Sequence, residues 1–293
     1  MHRAGAFASL CSPPLPIIIV ANSFLIFLHP SREDTAISNL SPAEITRYVR
    51  QINLEGWGRE AQERVKASRI LIAGAGGLGS AAALYLLAAG VGTIRLVDNS
   101  RVSLSDLSHQ VLFQEKDLGK AKVAAAARRL KELNSFTLVE SLVKAISPHN
   151  ISSLTASCQV LLDATNNPAL GPLLNRASGK LNIPLVHAAV WDLDGRITTS
   201  WLGRGPCLTC LFLESSPLER PSFLSPLPGI LGALQALETL RILGGLAPTL
   251  LGRVLCFHGA SLRFTEKTLE PNPKCPNCQG SALKRSSTWT NSN

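Results

Sequence analysis

Ile70-Leu-Ile-Ala-Gly74-Ala-Gly76-Gly77-Leu-Gly79 decides the fold, because a run of aliphatic residues breaks into glycines and then into the small-residue stretch Gly77 to Ala89. The aliphatic run reads as a buried strand from Arg69 to Ala73, and the stretch after it as a helix. Glycine is required there for two reasons: backbone must approach a phosphate, and the helix must pack tightly on the strand. The helix start then offers unpaired N–H groups and partial positive charge to an anion. A second strand, Thr93 to Val97, ends at Asp98, whose carboxylate can hydrogen-bond ribose hydroxyls. A βαβ unit of this kind indicates a bound nucleotide and fits NAD, FAD or ATP equally.

Strand and helix continue to alternate along the chain. Lys120 to Leu133 reads as a helix with Ala and Leu inward and Lys and Arg outward, while Thr137 to Glu140, Val160 to Asp163 and Leu185 to Ala189 read as strands. Beyond Gly195, strands are expected at Arg196 to Trp201 and Val254 to His258, with a helix from Leu231 to Leu243 after the Pro-rich stretch Ser215 to Pro228. The expected fold is therefore α/β: a doubly wound, Rossmann-like, mostly parallel sheet.

Cys207-Leu-Thr-Cys210 and Cys275-Pro-Asn-Cys278 form two C-x-x-C knuckles. Each short spacer lets both sulfurs of a knuckle reach one Zn2+ at about 2.3 Å, and four thiolates leave no open position for a catalytic water. A structural zinc stapling the C-terminal lobe is expected. The remaining cysteines, Cys11, Cys158 and Cys256, show no pairing pattern, which points to a reducing compartment and a cytoplasmic protein. Cys158 and Cys256 border or lie in apolar runs and are expected to be buried packing residues.

Bulk properties bound the partners. At 293 residues, 45% apolar and 17% charged, the chain has the composition of a folded globular protein rather than a disordered one. Its net charge of +9 suits a polyphosphate or an acidic partner, but the basic residues are scattered without interleaved aromatics, so no nucleic-acid role is expected. The apolar stretch Ile17 to Leu28 is too short to span a bilayer comfortably, and no membrane role is expected. Ser41-Pro42-Ala43-Glu44 is a helix-opening signature. Residues 1–39 are accordingly expected to be a tail outside the fold, with Leu40 as an alternative start, 40–280 to be the folded domain, and 281–293 a disordered tail.

Further residues stand in a telling order: Arg47-Tyr-Val-Arg50-Gln-Ile52, the glycine loop, Asp98, Val102-Ser-Leu-Ser105-Asp106-Leu-Ser-His109-Gln110, Gly119-Lys-Ala-Lys122, Asp163-Ala-Thr-Asn166-Asn167, and the two knuckles. With these the chain resembles the ThiF/MoeB/HesA family, bacterial relatives of ubiquitin-activating enzymes, over roughly residues 40 to 280. The resemblance implies a homodimeric enzyme that uses ATP and Mg2+ to adenylate the C-terminal glycine of a small ubiquitin-like sulfur-carrier protein ending in Gly-Gly, in thiamine, molybdopterin or related sulfur transfer. It also implies roles. Gly74, Gly76, Gly77 and Gly79 would lie beneath the α-phosphate and ribose, and Asp98 would take the ribose hydroxyls. Arg50 would reach the phosphates of the partner subunit, and Lys122 would neutralise phosphate charge. Ser105, Asp106, Gln110, Asn166 and Asn167 would complete the nucleotide site, with His109 and Asp163 beside the reacting groups.

Two positions depart from the family pattern. His109 stands where the family has Arg, and Asn166 stands where it has the Asp that helps hold Mg2+. A weaker phosphate grip is expected at the first and a lost anionic ligand at the second, with Asp106 and Asp163 near enough to compensate. No cysteine is placed to form a covalent intermediate with the carrier. Two alternatives follow: a catalytically weakened paralogue serving as scaffold or dimer partner, and a dinucleotide-dependent oxidoreductase, which the zinc knuckles and Arg47-Tyr-x-Arg50 fit poorly. His187 and His258 are expected to be ordinary hydrogen-bonded histidines.

Overall fold

A computed structural model describes residues 40–212, 222–275 and 277–278 of the chain. The expected tails 1–39 and 281–293, Cys11, the apolar stretch 17–28 and the first half of the Pro-rich stretch, residues 215–221, lie outside the described residues. Helix α1 (Pro42–Ile52) opens as anticipated: Ser41 Oγ accepts the Glu44 N–H at 3.3 Å and the Glu44 carboxylate accepts the Ser41 N–H at 2.9 Å. Helix α2 (Gly58–Ala67) ties back through Lys66, whose ammonium donates to Glu44 Oε2 at 2.6 Å.

Then come β1 (Arg69–Ala73), α3 (Gly77–Ala88), β2 (Thr93–Val97), α4 (Lys122–Leu133), β3 (Leu138–Leu142), α5 (Ile151–Thr155), β4 (Val160–Asp163) and α6 (Gly171–Leu181). The chain continues through β5 (Leu185–Trp191), β6 (Asp194–Ser200), α7 (Leu208–Phe212), α8 (Pro226–Leu243), β7 (Arg253–His258) and β8 (Arg263–Thr268). All eight strands join one sheet in the order β3-β2-β1-β4-β5-β6-β7-β8. Pairings from β3 across to β5 are parallel, and those from β5 across to β8 are antiparallel. The C-terminal region thus extends the same sheet through the β5–β6 hairpin.

Alternation along β1 separates two cores. Ile70 and Ile72 pack with Leu86, Leu130 and Leu231 from α3, α4 and α8, whereas Leu71 and Ala73 pack with Leu154 and Leu174 from α5 and α6. Helices cover both faces of the parallel half, as a doubly wound sheet requires. Helix α8 begins at Pro226 rather than Leu231, because Pro is tolerated in a first turn. It is anchored by two buried polar side chains. Gln235 Nε2 donates to the carbonyls of Asp163 and Val186, and Glu238 accepts from Thr199 Oγ1 and the Leu250 N–H. Cys158 is buried as expected, but Cys256 is only half-buried, because β8 is too exposed to cover its side of β7 fully.

The strand-to-helix turn carries two steric demands. Gly74 has φ +95°, a conformation L side chains rarely adopt, and a Cβ on Gly79 would lie 1.9 Å from the Gly74 carbonyl oxygen. Gly79→Ala therefore forces α3 away from β1. Urea unfolding should show a loss of about 1–3 kcal/mol, the range of overpacking in a rigid core; an unchanged midpoint would mean that α3 has room to slide.

Candidate functional site

A cavity of about 330 Å3 opens at the carboxyl edge of β1, β2, β4 and β5, where loops of a doubly wound sheet gather ligands. Gly74, Gly76 and Gly77 form one wall, and no side chain caps α3 at Gly76, which leaves the first-turn N–H groups for an anion. Asp98 lines the cavity next to them. Its Oδ2 accepts the Ala75 N–H at 2.9 Å and its Oδ1 accepts the Ser100 N–H at 2.7 Å. The carboxylate thus shapes the glycine loop while keeping a second lone pair on each oxygen.

Lys122 and His109 line the same space, the His109 ring lying close against Gly77. Lys122 Nζ donates to Asp106 Oδ1 at 3.0 Å, and the same oxygen accepts Gln110 Nε2 at 2.7 Å. Asp106 Oδ2 closes a capping box by accepting the Ser103 N–H and hydroxyl, each at 2.8 Å. Burial works to raise the Asp106 carboxyl, but the Ser103 N–H, the Lys122 ammonium and the Ser103 hydroxyl together hold it below the ordinary range. Burial also lowers the His109 imidazole, with Asp106 opposing and Lys122 adding to the effect. His109 is therefore neutral near pH 7, where an arginine would be charged. Its ring stands edge-on to Phe223 at 5.1 Å.

Beneath the cavity, Asp163 is buried and fully engaged. Oδ1 accepts the Thr165 hydroxyl at 2.7 Å, and Oδ2 meets His187 Nδ1 at 3.0 Å. His187 is thus a hydrogen-bonded core histidine, and His258, bonded to Thr265 Oγ1 at 2.8 Å, lies on β7 away from the cavity-lining residues. Asn166 lines the cavity at φ +50° and pairs twice with β5: Nδ2 donates to the Val190 carbonyl and Oδ1 accepts the Val190 N–H, both at 3.0 Å. Asn167 Oδ1 accepts the Ala169 N–H at 3.0 Å and also lines the cavity.

The structure thus brings together Gly74, Gly76, Gly77, Asp98, His109, Gln110, Lys122, Asn166 and Asn167. It does not bring Ser105, Asp106, Gly79 or Asp163 to the cavity surface. Ser105 points to solvent and bonds Ser103, the two aspartates are turned into the protein, and Gly79 acts through packing. Arg50 is exposed on α1, away from the cavity of its own chain. Sequence reasoning missed Lys144, Ser100, Thr165 and Phe223 on the lining. A cation following a strand at the sheet's carboxyl edge was the available signal for Lys144.

Distant from this cavity, the thiols of Cys207, Cys210, Cys275 and Cys278 all lie buried within 4.8 Å of one another. Separations of 3.9 Å for Cys207–Cys210 and 3.6 Å for Cys207–Cys275 and Cys210–Cys278 agree with the edge of about 3.8 Å expected for sulfurs tetrahedrally disposed at about 2.3 Å from zinc. Burial works to raise the Cys207 thiol, but the Cys210 N–H and the side chains of Asn175, Asn277 and Cys275 bring it down to about 7. The donor set fits zinc.

A Rossmann-like sheet with a glycine-loop cavity at its carboxyl edge and a four-cysteine cluster defines a nucleotide-binding α/β protein. The chain belongs to the ThiF family, whose model matches residues 48–278. It is 38% identical to vegetative HesA of Trichormus variabilis, over 82% of this chain and 91% of that one. It is 34% identical to a Thermus thermophilus protein named sulfur carrier protein adenylyltransferase, over 83% and 93%. Its fold is shared with E. coli MccB solved with AMPCPP and MccA, at TM-score 0.71 and 21% identity over 79% and 74% of the two chains. The family is of the adenylyltransferase type, which implies ATP and Mg2+.

Zinc should copurify at one ion per chain by elemental analysis. Cys275→Ser should release it and lower stability by several kcal/mol, the scale of a lost structural metal. Anaerobically purified protein without zinc would contradict the assignment.

Proposed function

We propose that the chain adenylates the C-terminal glycine of a small ubiquitin-like sulfur-carrier protein ending in Gly-Gly. The observation carrying this is the convergence of the uncapped glycine helix start, Asp98 and Lys122 on one cavity, in a chain 34% identical to a protein named for that activity. In the proposed reaction a carboxylate oxygen of the carrier's terminal glycine attacks the α-phosphorus of ATP. The bond to the bridging oxygen breaks, pyrophosphate departs, and a carrier acyl-adenylate remains. Such an in-line displacement asks chiefly for positioning and for cations near spread negative charge.

Asp98 would hold the ribose hydroxyls, the amides at Gly76 and Gly77 would meet the α-phosphate, and Lys122, fixed by Asp106, would sit near the leaving phosphates. Asp106, Asp163 and Gly79 act as supports for these groups rather than as contacts. Exposed Arg50 makes no hydrogen bond or ion pair among the described residues, which supports the reading that it serves the phosphates of a partner copy in a homodimer. The adenylating domain would span 40–280 with 1–39 and 281–293 as tails. No helix among the described residues is long and apolar enough to cross a membrane, and a four-thiol cluster suits a reducing cytoplasm.

The second reading, a weakened paralogue acting as scaffold, is favoured by neutral His109 and by Asn166, whose amide is committed to Val190. Exchange of labelled pyrophosphate into ATP separates the two. A purified Gly-Gly carrier should stimulate exchange by this chain; carrier binding without exchange would favour the scaffold. Asp98→Ala should weaken ATP binding about ten- to a hundredfold by calorimetry, the range for lost hydrogen bonds to a charged group. Unchanged affinity would place the nucleotide elsewhere.

A further inference from the structure

Mg2+ is the group the family implies and the described residues fit least. Magnesium is ordinarily held by one or two carboxylates together with substrate phosphates and water. Among the described residues lining the cavity, Asp98 is the one carboxylate; each of its oxygens accepts one backbone N–H of the loop it shapes, and the lone pairs left over are those the proposed function gives to the ribose hydroxyls. The neighbouring acids are turned inward. Asp106 is divided among Lys122, Gln110 and Ser103, and Asp163 between Thr165 and His187.

Asn166 is the decisive position. Its side chain must donate to the Val190 carbonyl and accept from the Val190 N–H at the same time, each at 3.0 Å, and only an amide can do both. A carboxylate has nothing to donate. The φ of +50° further suits asparagine, which tolerates the left-handed region. The neutral residue thus closes a two-bond link from the β4–α6 loop to β5, and it offers no anionic oxygen to a metal.

Positive charge comes instead from the protein. Lys122 and Lys144 both line the cavity, and the Lys144 ammonium has no anionic partner among the described residues. The α3 N-terminus adds its partial charge. We infer that this chain binds its nucleotide without a protein ligand to magnesium, the phosphates being neutralised by Lys122, Lys144 and the helix start, so that ATP affinity does not depend on the metal. The inference rests on the nucleotide reading of the cavity and specifies how that site handles charge.

Calorimetry on the full chain tests it, with ATP titrated once in excess EDTA and once in excess Mg2+. The two dissociation constants should agree within about threefold for the native protein. Asn166→Asp leaves one carboxylate oxygen free of the Val190 N–H, and its ATP affinity should rise about tenfold on adding Mg2+. A tenfold or greater tightening by Mg2+ in the native chain would overturn the inference. So would a folded Asn166→Asp protein that stays indifferent, since the amide would then not be what excludes the metal. Should the variant fail to fold, the native comparison decides alone. If ATP binds the native chain in neither buffer, the nucleotide reading itself falls and takes the inference with it, an outcome distinct from metal-dependent binding.

Discussion

The contact between the Gly74 carbonyl and the backbone at Gly79 is the constraint on which the site depends. With no side chain at either position, α3 starts directly against the end of β1, and the amides of its first turn face outward at the sheet's edge. Asp98 then reads that geometry from the neighbouring strand, since its hydrogen bond to Ala75 requires β2 to end level with the turn. The parallel register Ala73↔Val97 ensures this. A cavity edge suited to an anion is thus a result of backbone packing before any charged side chain is counted.

The acids around the cavity divide into those that shape it and those that support it. Asp106 orients Lys122 while capping its own turn, and Asp163 secures the loop that carries Thr165 and Asn166. Each carboxylate is satisfied by several donors, as buried anions must be. Such commitments leave the lysines to set the sign of the cavity. Neutral His109 fits this arrangement: a third fixed cation is absent at its position, yet its ring gains an apolar partner in Phe223.

The glycine loop, the strands at Arg69–Ala73, Thr93–Val97 and Val160–Asp163, and the α1 capping box could be read directly from the chain, because each rests on local sequence pattern or local hydrogen bonding. Strand β8 could not. Every one of its residues is exposed, so it shows no burial alternation, and it exists by pairing with β7. The partner of Asn166 is hidden for a related reason. The family pattern marks the position as a lost anionic ligand, but the two bonds it makes to the main chain of Val190 are revealed by no residue identity. Asp106 carries a usable signal in the sequence: Ser103-x-x-Asp106 is itself a capping sequence, and the carboxylate is engaged in that cap.

The cysteine cluster joins the start of α7 to the region after β8, and the chain between them includes α8, β7 and β8. A single ion there would turn that whole segment into a closed ring and remove much of the freedom its ends have when unfolded. Helix α8 belongs to the ring, and its Pro228 lines the nucleotide cavity while Gln235 holds the carbonyl of Asp163. With an ion and a nucleotide both bound, metal occupancy and nucleotide affinity would be linked quantities: whatever one ligand contributed to keeping α8 in place, the other would not have to supply. A protein of this design would sense loss of its structural ion first as a loosened floor beneath the nucleotide.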